Sequence, residues 1–562
     1  MLELILSLIV IIIVIYGQGI IFNKLITNKV TNIDNFNETF IFGIIFLSFV
    51  TLILNFFFPI NKEIGSFLLL ISFIFFFHNL VLSKSKKKIF IYILILAIIS
   101  FLLISYSTIN RPDAGLYHLP YTSVINENKI IFGITNLHFR FGHISIIQYL
   151  SSAFNNYILP IEAITIPISI IFSSFIYFIY EKLNDNLKKN KIHLAIILFL
   201  LTIFSIYSFN RYSEYGNDTP SHIFFSIFFI YIILQNKFDL KFFSKVVLIS
   251  TYLFTIKPFM FILSLLVFYL FIKLKNKKKI LLDRTIIFSA VFLIVWIVKN
   301  LITSGCIIYP VSKTCLKNLS YLDLEKTKLE EVSGESWSKD FPNYKEGKYE
   351  LKEYIKNFRW VSTWSKKHLK VIMEKFGPFL LFLILFYVIF SYNRDEKDLR
   401  NNKKYFCLKN HEILIFSFFT FLIWFMKFPL YRYGSSFLSI FFIFIFYLLI
   451  KNFNFNKKLN LINNIMRFTL ILALFGFTYK NLYRIITMSD DRNPFPQIYS
   501  LSDNYLKRSP QNFKKITLNN GGYYFFSGYE YCMYSSSPCT HIKHDDIGFS
   551  EKLKYYKVFY KN

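Results

Sequence analysis

Apolar stretches long enough to cross a lipid bilayer recur from Leu2 to about position 485, and they constrain this chain more than any other feature. A run of about 18 or more apolar residues has no polar face to offer water, and a helix satisfies all of its own backbone groups inside a bilayer. About fourteen spans are expected on this criterion. They fall near 2–22, 39–60, 64–82, 89–108, 157–180, 192–209, 221–235, 245–256, 259–274, 285–302, 376–393, 413–428, 435–451 and 465–484. Composition agrees, with 54% hydrophobic residues, 20% aromatic residues and 70 Phe against 18 Gly. The expected fold is therefore an all-α polytopic membrane domain over 1–485, followed by a small extracytoplasmic α/β segment over 486–562. The first run begins with Glu3 and has no basic leader, so it reads as a retained anchor.

A net charge of +30 would point to nucleic acid in a soluble protein. Here the placement of the charges argues otherwise. Five loops, 83–88, 181–191, 236–245, 273–284 and 394–412, hold 23 Lys and Arg, whereas the alternating connections 109–143, 210–220, 257 and 429–435 hold six. That asymmetry puts the lysine-rich loops in the cytoplasm. The expected location is the cytoplasmic (inner) membrane, multi-pass, with the N-terminus and the C-terminal segment extracytoplasmic. The expected partner is the bilayer, with no nucleic acid, because the cations sit in short loops beside spans.

The runs 245–256 and 259–274 are short for a hydrocarbon core of about 30 Å. They read as a hairpin turning at Lys257-Pro258, since the residue before proline is driven out of helical geometry. The long connections 109–156 and 303–375 and the tail from 486 all fall on the outer face.

Cysteine placement is a separate test of this topology. Cys306, Cys315, Cys532 and Cys539 fall outside and Cys407 inside, the distribution an oxidising exterior leaves. The close spacings suggest Cys306–Cys315 and Cys532–Cys539, while the two other pairings stay open. No Cys-x-x-Cys pair favours zinc.

Polar residues gather at the outer boundaries. Asp113 follows an apolar run directly, in a loop that also carries His118, His138, Arg140 and His143. The spacing of Leu116, Tyr117, Pro120, Tyr121, Val124 and Ile125 predicts amphipathic helices lying along the interface, a floor on which a lipid carrier could rest. Asp113 is then either a catalytic base or metal ligand, or only the cap of such a helix. Glu214 and Asp218 lie four residues apart at another outer boundary. One could orient a sugar hydroxyl or a metal while the other takes a proton, and the alternative is a solvated turn capped ahead of Pro220. Lys257 stands alone between apolar runs, where a charge costs about 2.5–3.5 kcal/mol. A phosphate would compensate that cost, with Arg432 as a second donor. Snorkelling of Lys257 and interfacial anchoring of Arg432 are the alternatives.

These residues carry a resemblance. The Asp113 loop, Gly133-x-x-Asn136-Leu137-His138-x-Arg140-Phe141-Gly142, Asn217-Asp218, Lys257-Pro258, Ser304-Gly305-Cys306-x-x-Tyr309-Pro310 and Cys532 to Pro538-Cys539 resemble the layout of the GT-C class of polytopic glycosyltransferases, over nearly the whole chain. The resemblance implies transfer of a sugar from a polyprenyl-phosphate donor to a glycan, lipid or protein acceptor of the cell envelope at the outer face. It implies Asp113 as base, Asp218 with Glu214 as further acids, and Lys257 and Arg432 on the phosphate. His118, His138, Arg140 and His143 are the remaining substrate-binding candidates. Ala114 stands where many members of that class carry a second acid. No cofactor is demanded, and a divalent metal ion stays open.

The segment 303–375, with 14 Lys and Arg, 10 Asp and Glu, and Trp337, Trp360 and Trp364, suits a sugar-stacking surface or a helical lid. The tail, with Tyr523, Tyr524, Tyr529, Tyr531 and Tyr534 around Gly521-Gly522, reads as short strands and turns. Three other classes stay in view. An O-antigen-type polymerase or ligase would use Arg140 and His143. A transporter or flippase would place charges near the bilayer midplane in repeated halves, which are not evident here. The third is an assembly protein without chemistry.

Overall fold

The computed structural model describes residues 2–27, 36–83, 86–104, 113–209, 215–235, 237–275, 277–341, 350–393, 408–455, 458–487, 513–528, 531–552 and 556–561. Glu214, Cys407 and Tyr529 lie outside the described residues. The described chain is mostly helical, with a small sheet segment at its C-terminal end.

Eight helices among the described residues are long and apolar enough to cross a membrane. They are Leu2–Ile26, Phe36–Phe57, Lys62–Leu82, Lys86–Ile104, Arg284–Ser304, Trp360–Tyr392, Tyr431–Ile450 and Leu459–Tyr483. Ile192–Ser208, Asp218–Leu234 and Pro258–Lys273 are apolar but shorter. Pro167–Lys188, Leu240–Ile256 and Asn410–Lys427 complete the bundle. The run expected to span 157–180 begins its helix only at Pro167, because Ile161–Thr165 is wound as a 3₁₀ turn ahead of it.

Close helix packing explains why small and polar residues interrupt the apolar runs. A Cβ at Gly43 would stand 1.9 Å from the Ile15 carbonyl oxygen, so glycine lets Phe36–Phe57 seat against Leu2–Phe22. Between helices, Gln18 Nε2 donates to Ser72 Oγ at 2.7 Å and Ser100 Oγ to Ser173 Oγ at 2.8 Å. Such bonds give buried polar groups the partners lipid cannot supply. Lys257 is extended (φ −148°, ψ 114°) between Leu240–Ile256 and the turn Pro258–Ile262, as its place before proline requires.

The first long connection departs from its expectation. Leu119–Glu127 does not lie half-exposed along an interface, because every residue from Leu119 to Asn126 is buried. The tail provides the cover. Phe132 joins the strand Tyr556–Lys561 in parallel, with Phe132 N donating to Lys557 O at 2.9 Å and Phe559 N to Phe132 O at 3.0 Å. Ser537 N donates to Glu127 Oε2 at 2.9 Å, Asn126 Nδ2 to Tyr534 Oη at 2.9 Å and Met533 N to Gly115 O at 2.9 Å. Strands Lys514–Thr517, Tyr523–Phe526 and Cys539–Thr540 form one sheet, and Ile547–Lys552 with Tyr556–Lys561 a second. Cys306 is bonded to Cys315 and Cys532 to Cys539.

Candidate functional site

Asp113 does not cap the helical segment it precedes, since its backbone is helical (φ −57°, ψ −35°) and its side chain makes no cap bond. Its carboxylate is turned instead to two guanidinium groups. Arg140 Nη1 donates to Oδ1 at 3.0 Å, and Arg432 Nη2 donates to Oδ2 at 3.2 Å. A carboxylate offers about four lone-pair sites, so two acceptor positions are left over.

Asp218 likewise leaves the capping role unfilled. It opens the helix Asp218–Leu234 after Asn217, which makes no side-chain cap bond, and its Oδ1 accepts from Lys257 Nζ at 2.5 Å. This ion pair supplies the compensation that an isolated lysine among apolar runs needs. Arg432 joins the two halves: its Nε lies 3.7 Å from Asp218 Oδ2, beyond hydrogen-bond reach, and this N–H has no hydrogen-bond partner among the described residues. Asp113, Arg140, Asp218, Lys257 and Arg432 thus meet in one cluster, with side-chain exposures of 26%, 37%, 15%, 18% and 28%. Two carboxylates against three cations leave this ion-paired group with one surplus positive charge.

Several residues that the charge pattern does not reveal hold the cluster in place. Lys257 Nζ lies 3.9 Å from the centre of the Tyr433 ring, the Arg432 guanidinium is 4.8 Å from the same ring, and Tyr433 Oη accepts from Arg432 Nη2 at 2.6 Å. His222 clamps the backbone beneath: its Nε2 donates to Arg432 O and its Nδ1 accepts from Ser436 Oγ, both at 2.7 Å. The detectable signal was a histidine four residues after Asp218 on an apolar helix. Trp337, half-exposed on Leu324–Ser338, has its ring 5.7 Å from the Arg432 guanidinium. Trp360 and Trp364 are buried against Phe425 and take no part in the surface. Glu330, on the same helix as Trp337, faces Arg140 and Lys326, and burial pushes its carboxyl up.

The histidines of the first loop support the cluster from behind. His138 is buried and its Nδ1 accepts the Arg140 backbone N–H at 3.1 Å, fixing the turn Phe139–His143 that carries the arginine. His118 is buried, accepts from Gln148 Nε2 at 3.1 Å, and packs so that a Cβ at Gly216 would stand 3.2 Å from its Nε2. Burial pushes His118 down to about 4. Burial, then the Arg140 charge, does the same to His143, whose ring rests on Tyr309. The three candidate histidines therefore sit beside or beneath the ion pairs, and Glu214 is outside the described residues. Among the described residues, no three His, Cys, Asp or Glu side chains gather as a metal site.

Residues 1–439 match the family model described as a domain of unknown function, DUF8201. The chain belongs to that family. The match takes in all five charged residues of the cluster and stops short of the tail that covers the first loop. Neither the curated proteins nor the solved structures yield a match to this chain.

Proposed function

We propose that the chain transfers a sugar from a polyprenyl-phosphate donor to a cell-envelope acceptor, with the cluster as its active site on the outer face of the cytoplasmic membrane. The observation that carries this reading is the meeting of Asp113, Arg140, Asp218, Lys257 and Arg432, drawn from four separated segments, with a surplus positive charge and a guanidinium N–H that has no bond among the described residues. A phosphodiester brings one negative charge, and the Arg432 Nε–H and Lys257 are suited to receive it.

In this mechanism the bond between the anomeric carbon and the phosphate oxygen breaks, and the electron pair leaves on the phosphate. Arg432 and Lys257 stabilise the charge that develops there. Asp113, with lone pairs beyond those given to the two arginines, takes the proton of the acceptor hydroxyl on the opposite face of the sugar, so the anomeric centre inverts. Asp218 holds Lys257 charged and in position. Trp337 offers an exposed face for the sugar. Fourteen spans and a GT-C-like arrangement belong to this proposal, with the lysine-rich loops in the cytoplasm and the disulfide-bearing face outside. Any divalent ion would have to compete with cations already on both carboxylates.

The pairing of Arg140 with Asp113 also suits a polymerase or ligase acting on lipid-linked glycans. The test is to compare lipid-linked and surface glycans in a strain lacking the chain and in one carrying Asp113→Asn. Accumulated lipid-linked donor with a shortened surface glycan supports transfer of single sugars. Loss of chain length alone assigns the polymerase or ligase, and unchanged glycans in both strains refute the proposal.

A further inference from the structure

The helix Asp218–Leu234 ends about 24 Å from Asp218 by its rise per residue. Its far end borders a cavity of about 400 Å³. The rim holds Lys182, Lys189, Lys191, Lys241 and Lys245, while Phe178, Leu234 and Phe242 supply apolar surface. Three acids also line it, so five lysines outnumber them by two. Two of those acids are already engaged. Glu38 is paired with Lys245 and accepts from Tyr231 Oη at 3.3 Å, and Asp239 Oδ1 accepts the Phe242 backbone N–H at 2.7 Å. Lys189 and Lys241 are exposed and have no ion pair among the described residues.

A small headgroup fits a space of this size. A cationic rim over aromatic and aliphatic walls, set where apolar helices end, matches an amphiphile whose charged end is a phosphate. We propose that this cavity binds the headgroup of an anionic phospholipid at the lysine-rich end, with the acyl chains against the apolar wall. The lysines recognise the phosphate, and the wall excludes a purely water-soluble anion as the preferred occupant. The site is separate from the carboxylate–arginine cluster, and the lipid needs no sugar transfer to bind.

The full-length chain, purified in detergent, would be titrated with phosphatidylglycerol or phosphatidylcholine, and bound lipid would be counted by native mass spectrometry. Phosphatidylglycerol should be retained in preference. Lys189→Gln with Lys241→Gln should weaken its retention about 25-fold, since each lysine near an anionic headgroup contributes about fivefold. Lys277→Gln with Lys278→Gln, exposed in a neighbouring lysine-rich loop, should leave retention unchanged. Both substituted pairs lie on exposed positions, and matching unfolding curves would show that each variant folds. Equal retention of the two lipids, equal losses in the two double variants, or no loss in the first overturns the proposal. Millimolar inorganic phosphate should not displace the lipid; if it does, the cavity is a soluble-phosphate site and the lipid assignment fails.

Discussion

At the first turn of Asp218–Leu234, two carboxylates and three cations from four segments interlock, whereas at its last turn five lysines line a rim, with Lys189 and Lys241 exposed and outside any ion pair among the described residues. Both ends are rich in charge, and both border apolar helices. They differ in how the charge is satisfied. Charges withdrawn from water need partners within a few ångströms, so the first end is specified residue by residue. Exposed charges such as those of Lys189 and Lys241 need none, so there the number of lysines matters more than the identity of each.

That contrast can be broken most severely at Asp113. Asp113→Asn keeps the shape and removes the base, and sugar transfer by the reconstituted chain should fall about 10⁴-fold. A rate within threefold of the parent chain would end the assignment of Asp113 as base. The next effect is on stability. Lys257→Met leaves Asp218 without its nearest counter-charge and should cost about 3–5 kcal/mol in detergent unfolding. Adding Asp218→Asn should return most of that loss, because the buried unpaired charge is then gone as well. Additive losses in this double-mutant cycle would show that the two residues do not act as a pair.

Lowering the pH should have a smaller effect and one set by sign. Burial holds His118 and His143 at about 4 in the folded chain, below the ordinary histidine value of about 6.5. The unfolded chain therefore takes up protons first. Their contribution to stability is present above pH ~6.5 and is lost as the pH falls from there toward 4. Unfolding temperature should decline across that window, and His118→Gln should flatten the decline; a slope identical in the variant would remove His118 from the account. The smallest effect belongs to the lysine-rich end. Lys241→Gln should alter stability by no more than about 0.5 kcal/mol, as exposed substitutions generally do. A loss as large as that of Lys257→Met would erase the distinction between the two ends.

Much of the site was legible because it breaks a pattern. Asp113, Asp218, Lys257 and Arg432 stand out from apolar surroundings, where an ionised side chain is costly and so demands a reason. The reason itself was less legible. Lys257 called for an anion, and the structure supplies Asp218 within the chain, leaving the Arg432 Nε–H without a bond among the described residues. The parts that His222, Tyr433 and Glu330 play in the cluster were not legible, because their types and spacing are ordinary on their own helices. The three tryptophans of 303–375 looked alike in sequence, yet only Trp337 faces the cluster.

The amino-acid sequence by itself determined that this chain belongs in a bilayer, that its lysines crowd into alternate connections, and which charged residues stand among apolar runs. Hydropathy and charge placement are local properties, readable within a window of one helix. Only the tertiary structure decided that Asp113 and Arg432, 319 residues apart, share a hydrogen bond, and that the tail buries the loop expected at the interface. Those contacts depend on how the helices pack and where distant segments close on one another. A single apolar run contains no record of either.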